Sequence, residues 1–307
     1  MQPIVQARTP AIQERLHAIF PNGKDTKDIK LSAHAAAEVV DALSSLGSCF
    51  LFEEEMEVLL QALATRSDRC SAGDLVRVLL STARASHRGP AVEQLAASQA
   101  LVQHIPNLPP HILGKLLWAL AKLDCRPPGL LAQLPAAMAK VAERSSGYQL
   151  LQICWSLAVL EHVDTEAFQT MWKQLHRQQS EIGMSSKAAL QYCQVSKTQS
   201  GVKKAVSSTG WRCESEAVVD VYAVDIAIPE LKIAVEVDGP SHFTRTKPKR
   251  RLGPSTMKMR HLASAGWTVF PISSDEWDDR HASQEKLDQL REIVVQQAKA
   301  KLKGTHE

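Results

Sequence analysis

The sequence predicts a protein of class α + α/β, in which an N-terminal α-solenoid of helix-turn-helix repeats precedes a small α/β domain. Two patterns support this prediction: a helical pattern that recurs over residues 31–178, and strand-like segments after residue 220. The 307 residues, of which 44% are hydrophobic, are enough for two domains that each bury a core. Since no run approaches the ~20 apolar residues of a membrane helix, we expect no membrane partner.

The helical pattern recurs about four times. When Asp41, Leu80, Trp118 and Trp155 are taken as equivalent, the successive spacings are 39, 38 and 37 residues. Each unit has a first helix, a polar or proline-containing break and a second helix. The breaks are expected at residues 47–48, 87–90, 126–128 and 161–164, and the second helices at 52–66, 91–104, 130–144 and 165–176. Because one helix pair cannot bury both of its faces, the pairs are predicted to stack on each other.

A polar stretch at residues 177–210 marks the boundary between the two predicted domains. It is rich in Ser, Gln and Lys, and a helix is expected to begin near Ser186. We therefore divide the chain into an N-terminal extension (1–30), the helical repeats (31–178), the α/β domain (179–300) and a basic tail (301–307).

The α/β domain is predicted from two strands that form a hairpin and a third strand before Trp277. The first, at 221–228, is apolar except for Asp225, and the second begins at Leu231. Side chains alternate along a strand, so Glu236 and Asp238 are expected on one face and Ile233, Val235 and Val237 on the other.

These residues resemble the RAP domain, an RNA-binding module that is abundant in apicomplexans and also present in algae, plants and animals. The resemblance covers roughly residues 185–300, and the segments that carry it are VDIA at 224–227, IAVEVDGPSHF at 233–243, 258–262, Gly266-Trp267 and Glu276-Trp277. It implies a restriction-endonuclease-like fold of the PD-(D/E)xK type. The helical units are similar to the octotricopeptide repeats that commonly precede RAP domains.

The resemblance also bears on catalysis. In the nuclease pattern, an Asp on one strand and a Glu-x-Lys on the next hold a divalent metal. Asp225 and Glu236 match the acidic positions, but Asp238 stands where the pattern has Lys. We therefore expect no enzyme activity, no metal and no cofactor, and we keep Asp225, Glu236 and Asp238 as the catalytic candidates if the domain is active.

A dense basic stretch follows the second strand. Five of the seven residues from Arg245 to Arg251 are basic, and no acid occurs from there to Leu262. Lys and Arg bind phosphates by releasing counterions, and Arg also stacks on unpaired bases. The predicted RNA-binding residues are His242, Arg245, Lys247, Lys249, Arg250, Arg251, Lys258 and Arg260.

The expected function is that of an organellar RNA-binding protein, which acts in rRNA or mRNA maturation or as a structural component of a ribonucleoprotein such as the mitochondrial ribosome. Its partners would be RNA and other proteins of that assembly, with no small-molecule substrate. By resemblance the compartment is the mitochondrion, with the plastid as the alternative. Two other functions stay open: a metal-dependent endoribonuclease and a protein-binding scaffold.

Overall fold

The structure is a computed structural model, and it describes residues 14, 18–19, 31–45, 52–178, 197–208, 210–278 and 280–304. Most of the predicted extension, the break at 47–48, the helix start near Ser186 and the end of the basic tail lie outside these residues. The chain divides into two compact units: Met1–Gly183 with Thr244–Pro254, and Met184–Phe243 with Ser255–Glu307. The first is helical and the second contains a small mixed sheet with helices, which confirms the predicted fold class.

The described part of the first unit consists of α-helices joined by short turns. They are α1 (Ala33–Ser45), α2 (Glu53–Ala64), α3 (Ala72–Arg84), α4 (Pro90–Ala96), α5 (Gln99–Val102), α6 (Pro110–Leu123), α7 (Pro128–Leu131), α8 (Leu134–Val141), α9 (Gly147–Val159) and α10 (Glu166–Gln178). None of the helices in the described ranges of the chain is both long and apolar enough to cross a bilayer.

The first helices of successive repeats, α1, α3, α6 and α9, pack side by side in that order. Polar contacts between α1 and α3 join residues 39 or 40 positions apart, as in the hydrogen bond from the Ser81 hydroxyl to Asp41 and the Arg77–Glu38 ion pair. Gly114 on α6 lies against Gln152 on α9, one repeat further along. The contacts therefore follow the predicted repeat, and the helical-repeat character of this region is confirmed.

Two of the predicted second helices were wrong as single elements. The one at 91–104 is divided into α4 and α5, because Ser98 is extended and its carbonyl accepts from the amides of Leu101 and Val102. The one at 130–144 is divided into α7 and α8. Pro135 lies at the start of α8, and its lack of an N–H prevents the helical bond to Leu131.

The second unit contains a four-stranded sheet in the order β1-β2-β3-β4. Its strands are β1 (Glu214–Val219), β2 (Tyr222–Ile228), β3 (Ile233–Asp238) and β4 (Thr268–Ser273), and its helices are α11 (Lys197–Ser207), α12 (Gly253–Ser264, which begins in the first unit), α13 (Ser274–Asp278) and α14 (Arg280–Gly304). β1 with β2 and β2 with β3 are antiparallel pairs, whereas β3 and β4 are parallel.

The connection from β2 to β3 differs from the predicted tight hairpin. Pro229–Leu231 form a 3-10 turn and Lys232 is left-handed, with φ 50°, so that the strand begins at Ile233 rather than Leu231. The predicted alternation within the strand is confirmed. Ile233 and Val235 pack into a core with α11 and α14, while Ala234 faces a second core that includes Leu262 of α12.

Candidate nucleic-acid interface

The basic loop, residues 244–254, is held in place by two buried threonines. Thr244 and Thr246 are only 1% and 7% exposed, whereas Arg245, which lies between them, and residues 247–250 are exposed. The Thr244 amide donates to the carbonyl of Arg250 at 2.7 Å, and the Arg250 amide donates to the Thr244 hydroxyl at 2.9 Å. The loop therefore closes on itself and presents four basic side chains, those of Arg245, Lys247, Lys249 and Arg250, to solvent.

The loop also packs on the helical repeats, within the first unit. The Arg245 amide donates to the Ser86 carbonyl at 2.8 Å, and the Thr246 hydroxyl donates to the Arg88 carbonyl. At the other end of the loop, a Cβ on Gly253 would collide with the carbonyl oxygen of Ala121 on α6. Both ends of the loop thus contact a first helix of a repeat near its C-terminus: one end contacts Ser86 after α3, and the other contacts Ala121 of α6.

Arg250, one of the predicted RNA-binding residues, forms an ion pair with Glu93 of α4 at 2.7 Å. The same carboxylate accepts from Arg88 at 3.0 Å, and the Arg88 guanidinium also donates to the carbonyls of Leu123 and Asp124, both at 2.8 Å. Arg88 therefore links Glu93, the partner of Arg250, to the C-terminus of α6. The sequence analysis missed Glu93 and Thr246 as partners because they bond residues 157 and 158 positions away.

Lys122 on α6 adds a further cation near the basic loop. Its ammonium lies 5.4 Å from the centre of the Trp118 ring, and both side chains are half-buried. Burial, and then the positive charge of Arg245, lower the pKa of Lys122. A cation therefore lies over an indole ring in the first unit, and the charge of Arg245 acts on that cation.

In the second unit, the predicted catalytic candidates lie together at one end of the sheet. The Asp225 carboxylate accepts from the Val237 amide at 2.7 Å, just beyond the last register pair of β2 and β3, Ile226 with Val235. The Lys258 ammonium contacts the Glu236 carboxylate at 2.5 Å. Gln199 of α11, which the sequence analysis did not single out, donates to Asp225 at 3.4 Å and also to Glu216.

The environment of this acidic cluster favours the neutral form of two carboxyls. Burial raises the pKa of Glu236 to about 7, although Lys258 opposes the shift, and burial also raises the pKa of Asp225. Within the described structure, the second oxygen of Glu236, Oε1, is buried and has no hydrogen-bond partner. With a pKa of about 7, the Glu236 carboxyl is therefore only partly ionised near neutral pH.

Two other predicted RNA-binding residues contact this cluster. Lys258 pairs with Glu236 as described, and the His242 ring lies 3.2 Å from Asp238 and 2.9 Å from the Ser255 hydroxyl. Arg251 and Arg260 are half-buried. The predicted residues therefore fall into two groups: the loop residues 245–251 in the first unit, and His242, Lys258 and Arg260 in the second.

The acidic cluster was also tested as a metal centre. Among the residues that the structure describes, no three His, Cys, Asp or Glu side chains are grouped closely enough to hold one metal ion. The cation that Glu236 contacts is the Lys258 ammonium. Among the described residues, the donor set in this arrangement therefore does not fit the two-carboxylate metal site of the nuclease pattern.

The helical repeats, whose compact unit includes the basic loop, and the small mixed-sheet unit define a repeat protein that also carries an α/β domain. Residues 235–293 match the family model of the RAP domain. The chain is also 24% identical, over 337 aligned residues, to "RAP domain-containing protein, chloroplastic" of Oryza sativa subsp. japonica, across 86% of this chain and 52% of that protein. The chain thus spans about half the length of this relative. It contains a RAP domain, as the sequence predicted, and this family indicates RNA binding.

Proposed function

We propose that this protein binds organellar RNA and that the basic loop holds the RNA backbone, in rRNA or mRNA maturation or as a structural part of a ribonucleoprotein. The observation that carries the proposal is the anchoring of the loop. Buried Thr244 and Thr246 fix the backbone, so that the exposed Arg245, Lys247 and Lys249 are presented by an anchored loop in a chain with a RAP domain. A fixed backbone reduces the entropy lost when the side chains bind phosphates.

The compartment proposed here is the plastid, the alternative expected from the sequence, because the rice relative is named as a chloroplastic protein. That relative does not support the mitochondrion, which was the first expectation. Immunoblotting of purified plastids and mitochondria with an antibody to the endogenous protein tests the compartment. Sedimentation with ribosomal subunits before and after RNase treatment tests membership of a ribonucleoprotein.

The salt dependence of RNA binding tests the role of the loop. The triple variant Arg245→Gln, Lys247→Gln, Lys249→Gln is compared with the wild type by fluorescence anisotropy, using a single-stranded RNA between about 50 and 200 mM salt. Each lost phosphate contact reduces the slope of log K against log salt by about 0.7, so the triple variant is expected to reduce it by about 2.

A matched control removes the same charges elsewhere. Lys203, Lys204 and Arg212 are exposed residues of the second unit and have the same composition of two Lys and one Arg. Their triple replacement by Gln should change the slope by much less than the loop variant does. Equal slopes for the two triple variants would contradict the loop as the phosphate-binding element, because the effect would then follow net charge alone.

The endoribonuclease is kept as a second candidate, since one observation favours it. Asp225 and Glu236 are carboxyls with raised pKa values beside a lysine, and perturbed groups of this kind cluster at catalytic sites. The same RNA is incubated with Mg²⁺ and examined on a denaturing gel. We expect intact RNA. Cleavage by the wild type that is lost in the Glu236→Ala, Asp238→Ala double variant would replace our proposal with the nuclease. If the protein has no affinity for RNA, the protein-binding scaffold is the function that remains.

A further inference from the structure

Trp118 and Trp155 occupy equivalent positions of two successive repeats but have different surroundings. Both rings are half-buried, and they lie 37 residues apart on α6 and α9. Four residues after Trp118 stands Lys122, whose ammonium lies over the ring, whereas four residues after Trp155 stands the buried Val159. The position four residues after the tryptophan thus carries a cation in one repeat and a core residue in the next.

The basic loop carries a second cation, Arg245, whose charge acts on Lys122. The Arg245 backbone is fixed by its hydrogen bond to Ser86, and its charge adds to the effect of burial, the larger cause, in lowering the pKa of Lys122. Like charges that the fold keeps close together repel each other, and a bound anion relieves this repulsion.

The end of α6 itself is prepared for an anion. The exposed carbonyls at a helix C-terminus carry partial negative charge and repel anions. Here the Arg88 guanidinium, which is only 15% exposed, donates to the carbonyls of Leu123 and Asp124. The last carbonyls of α6, one residue beyond Lys122, are therefore satisfied by a guanidinium that also pairs with Glu93.

We propose that Trp118, Lys122 and Arg245 form a nucleotide subsite for single-stranded RNA, in which a base stacks on the indole and the two cations bind its phosphate. This inference rests on the proposed RNA-binding function and assigns part of it to the helical repeats. In the free protein Lys122 covers the ring at 5.4 Å. On binding, the base takes its place and the flexible lysine moves to the phosphate. An indole with a cation over its face and a second cation acting on the first suits a nucleotide, which combines a flat π-face with a negative charge.

The test compares Trp118→Leu, Trp118→Phe and the matched control Trp155→Leu in the full chain. The probes are a single-stranded RNA of about 20 nucleotides, longer than a typical single-strand site, and a duplex of equal length. Loss of one stacked base weakens binding by about 5- to 150-fold, so Trp118→Leu should weaken binding of the single strand within this range. Trp118→Phe keeps an aromatic face and should stay within about 3-fold of the wild type.

The remaining variants separate stacking from charge and from folding. Trp155→Leu should leave affinity for the single strand nearly unchanged. Duplex binding should be insensitive to Trp118→Leu, because paired bases present no free face. Lys122→Gln should reduce the salt slope by about 0.7, as one phosphate contact does in a single strand.

Since a half-buried tryptophan also supports folding, circular dichroism is recorded for each variant. Photocrosslinking of 4-thiouridine RNA to the wild type provides a readout free of mutation, and we expect the attached peptide to contain Trp118.

Each outcome decides a different point. If the loop triple variant weakens RNA binding while Trp118→Leu behaves like Trp155→Leu and the crosslink maps elsewhere, the subsite is wrong and the proposed function stands. If the wild type has no RNA affinity, the proposed function fails and the subsite fails with it. If polyglutamate displaces RNA and its own binding depends on Trp118 and Lys122 as strongly, the surface binds an acidic protein and the nucleotide assignment is overturned.

Discussion

Glu236 shows how the fold alters the chemistry of one residue. The side chain follows Ala234 on one face of β3, is 4% exposed, and contacts the ammonium of Lys258, itself about a quarter exposed. Burial disfavours the carboxylate more than the lysine stabilises it, so the pKa is raised to about 7. Near neutral pH this position therefore holds a carboxyl group whose charge depends on pH.

We predict that Glu236 makes the protein less stable as pH rises. Its folded-state pKa of about 7 lies above the unfolded value of 4.5, so the folded state binds more protons between these values. The stabilising contribution is complete below about 4.5 and is lost as pH rises through about 7. A shift of this size corresponds to about 3 kcal/mol. Urea unfolding from pH 4 to 8 should give a smaller decline for Glu236→Gln than for the wild type, whereas parallel curves would contradict the shift.

The sequence predicted that Glu236 and Asp238 share a face, because strand alternation is a local rule. It did not predict that Lys258 contacts Glu236 or that Gln199 contacts Asp225. These contacts join α12 to β3 and α11 to β2, and they depend on how the helices pack on the two faces of the sheet. Packing of this kind is set by the whole domain and has no signature in the spacing of the residues.

At the scale of the element, the basic loop is defined by its anchors as much as by its charges. Its charge density was evident from composition, but the burial of Thr246 beside the exposed Arg245 and Lys247 goes with bonds to Ser86 and Arg88. Gly253 permits the close approach to Ala121 and lies 2.7 Å, measured from an added Cβ, from Val159. The loop thus belongs to the helical unit, although it lies more than 60 residues after the last helical repeat in the sequence.

We predict that Gly253→Ala destabilises the protein and loosens the loop. The added Cβ would meet the backbone of α6, which cannot turn away as a flexible side chain can, and overpacking of this kind costs about 1–3 kcal/mol. The check is urea unfolding together with hydrogen exchange at the Arg245 amide, which should become faster. Gly239→Ala is the matched control, since a Cβ there meets nothing within 4 Å. Equal stability of the two variants would show that the loop does not need this contact.

At the scale of the whole molecule, the repeat period and the fold class could be predicted from the sequence, because both rest on periodic patterns of apolar residues. The division of the chain into compact units could not. The sequence predicted one boundary, near residue 178, whereas the structure assigns Thr244–Pro254 to the same unit as the N-terminal helices. A boundary read from composition follows the chain, and it does not show that a later loop returns to an earlier unit.

The return of this loop predicts a difference in proteolysis between the full chain and a fragment that begins at Met184. In the full chain the backbone at Arg245 and Thr246 is hydrogen-bonded to Ser86 and Arg88, which protects Arg245, Lys249 and Arg250 from trypsin. The fragment lacks these partners, so the loop should be cut several-fold faster relative to Arg212, an exposed site in the second unit. Mass spectrometry of a digestion time course gives the ratio, and circular dichroism checks that the fragment keeps its sheet. The same ratio in both proteins would mean that the bonds within the loop, between Thr244 and Arg250, protect it without the helical repeats.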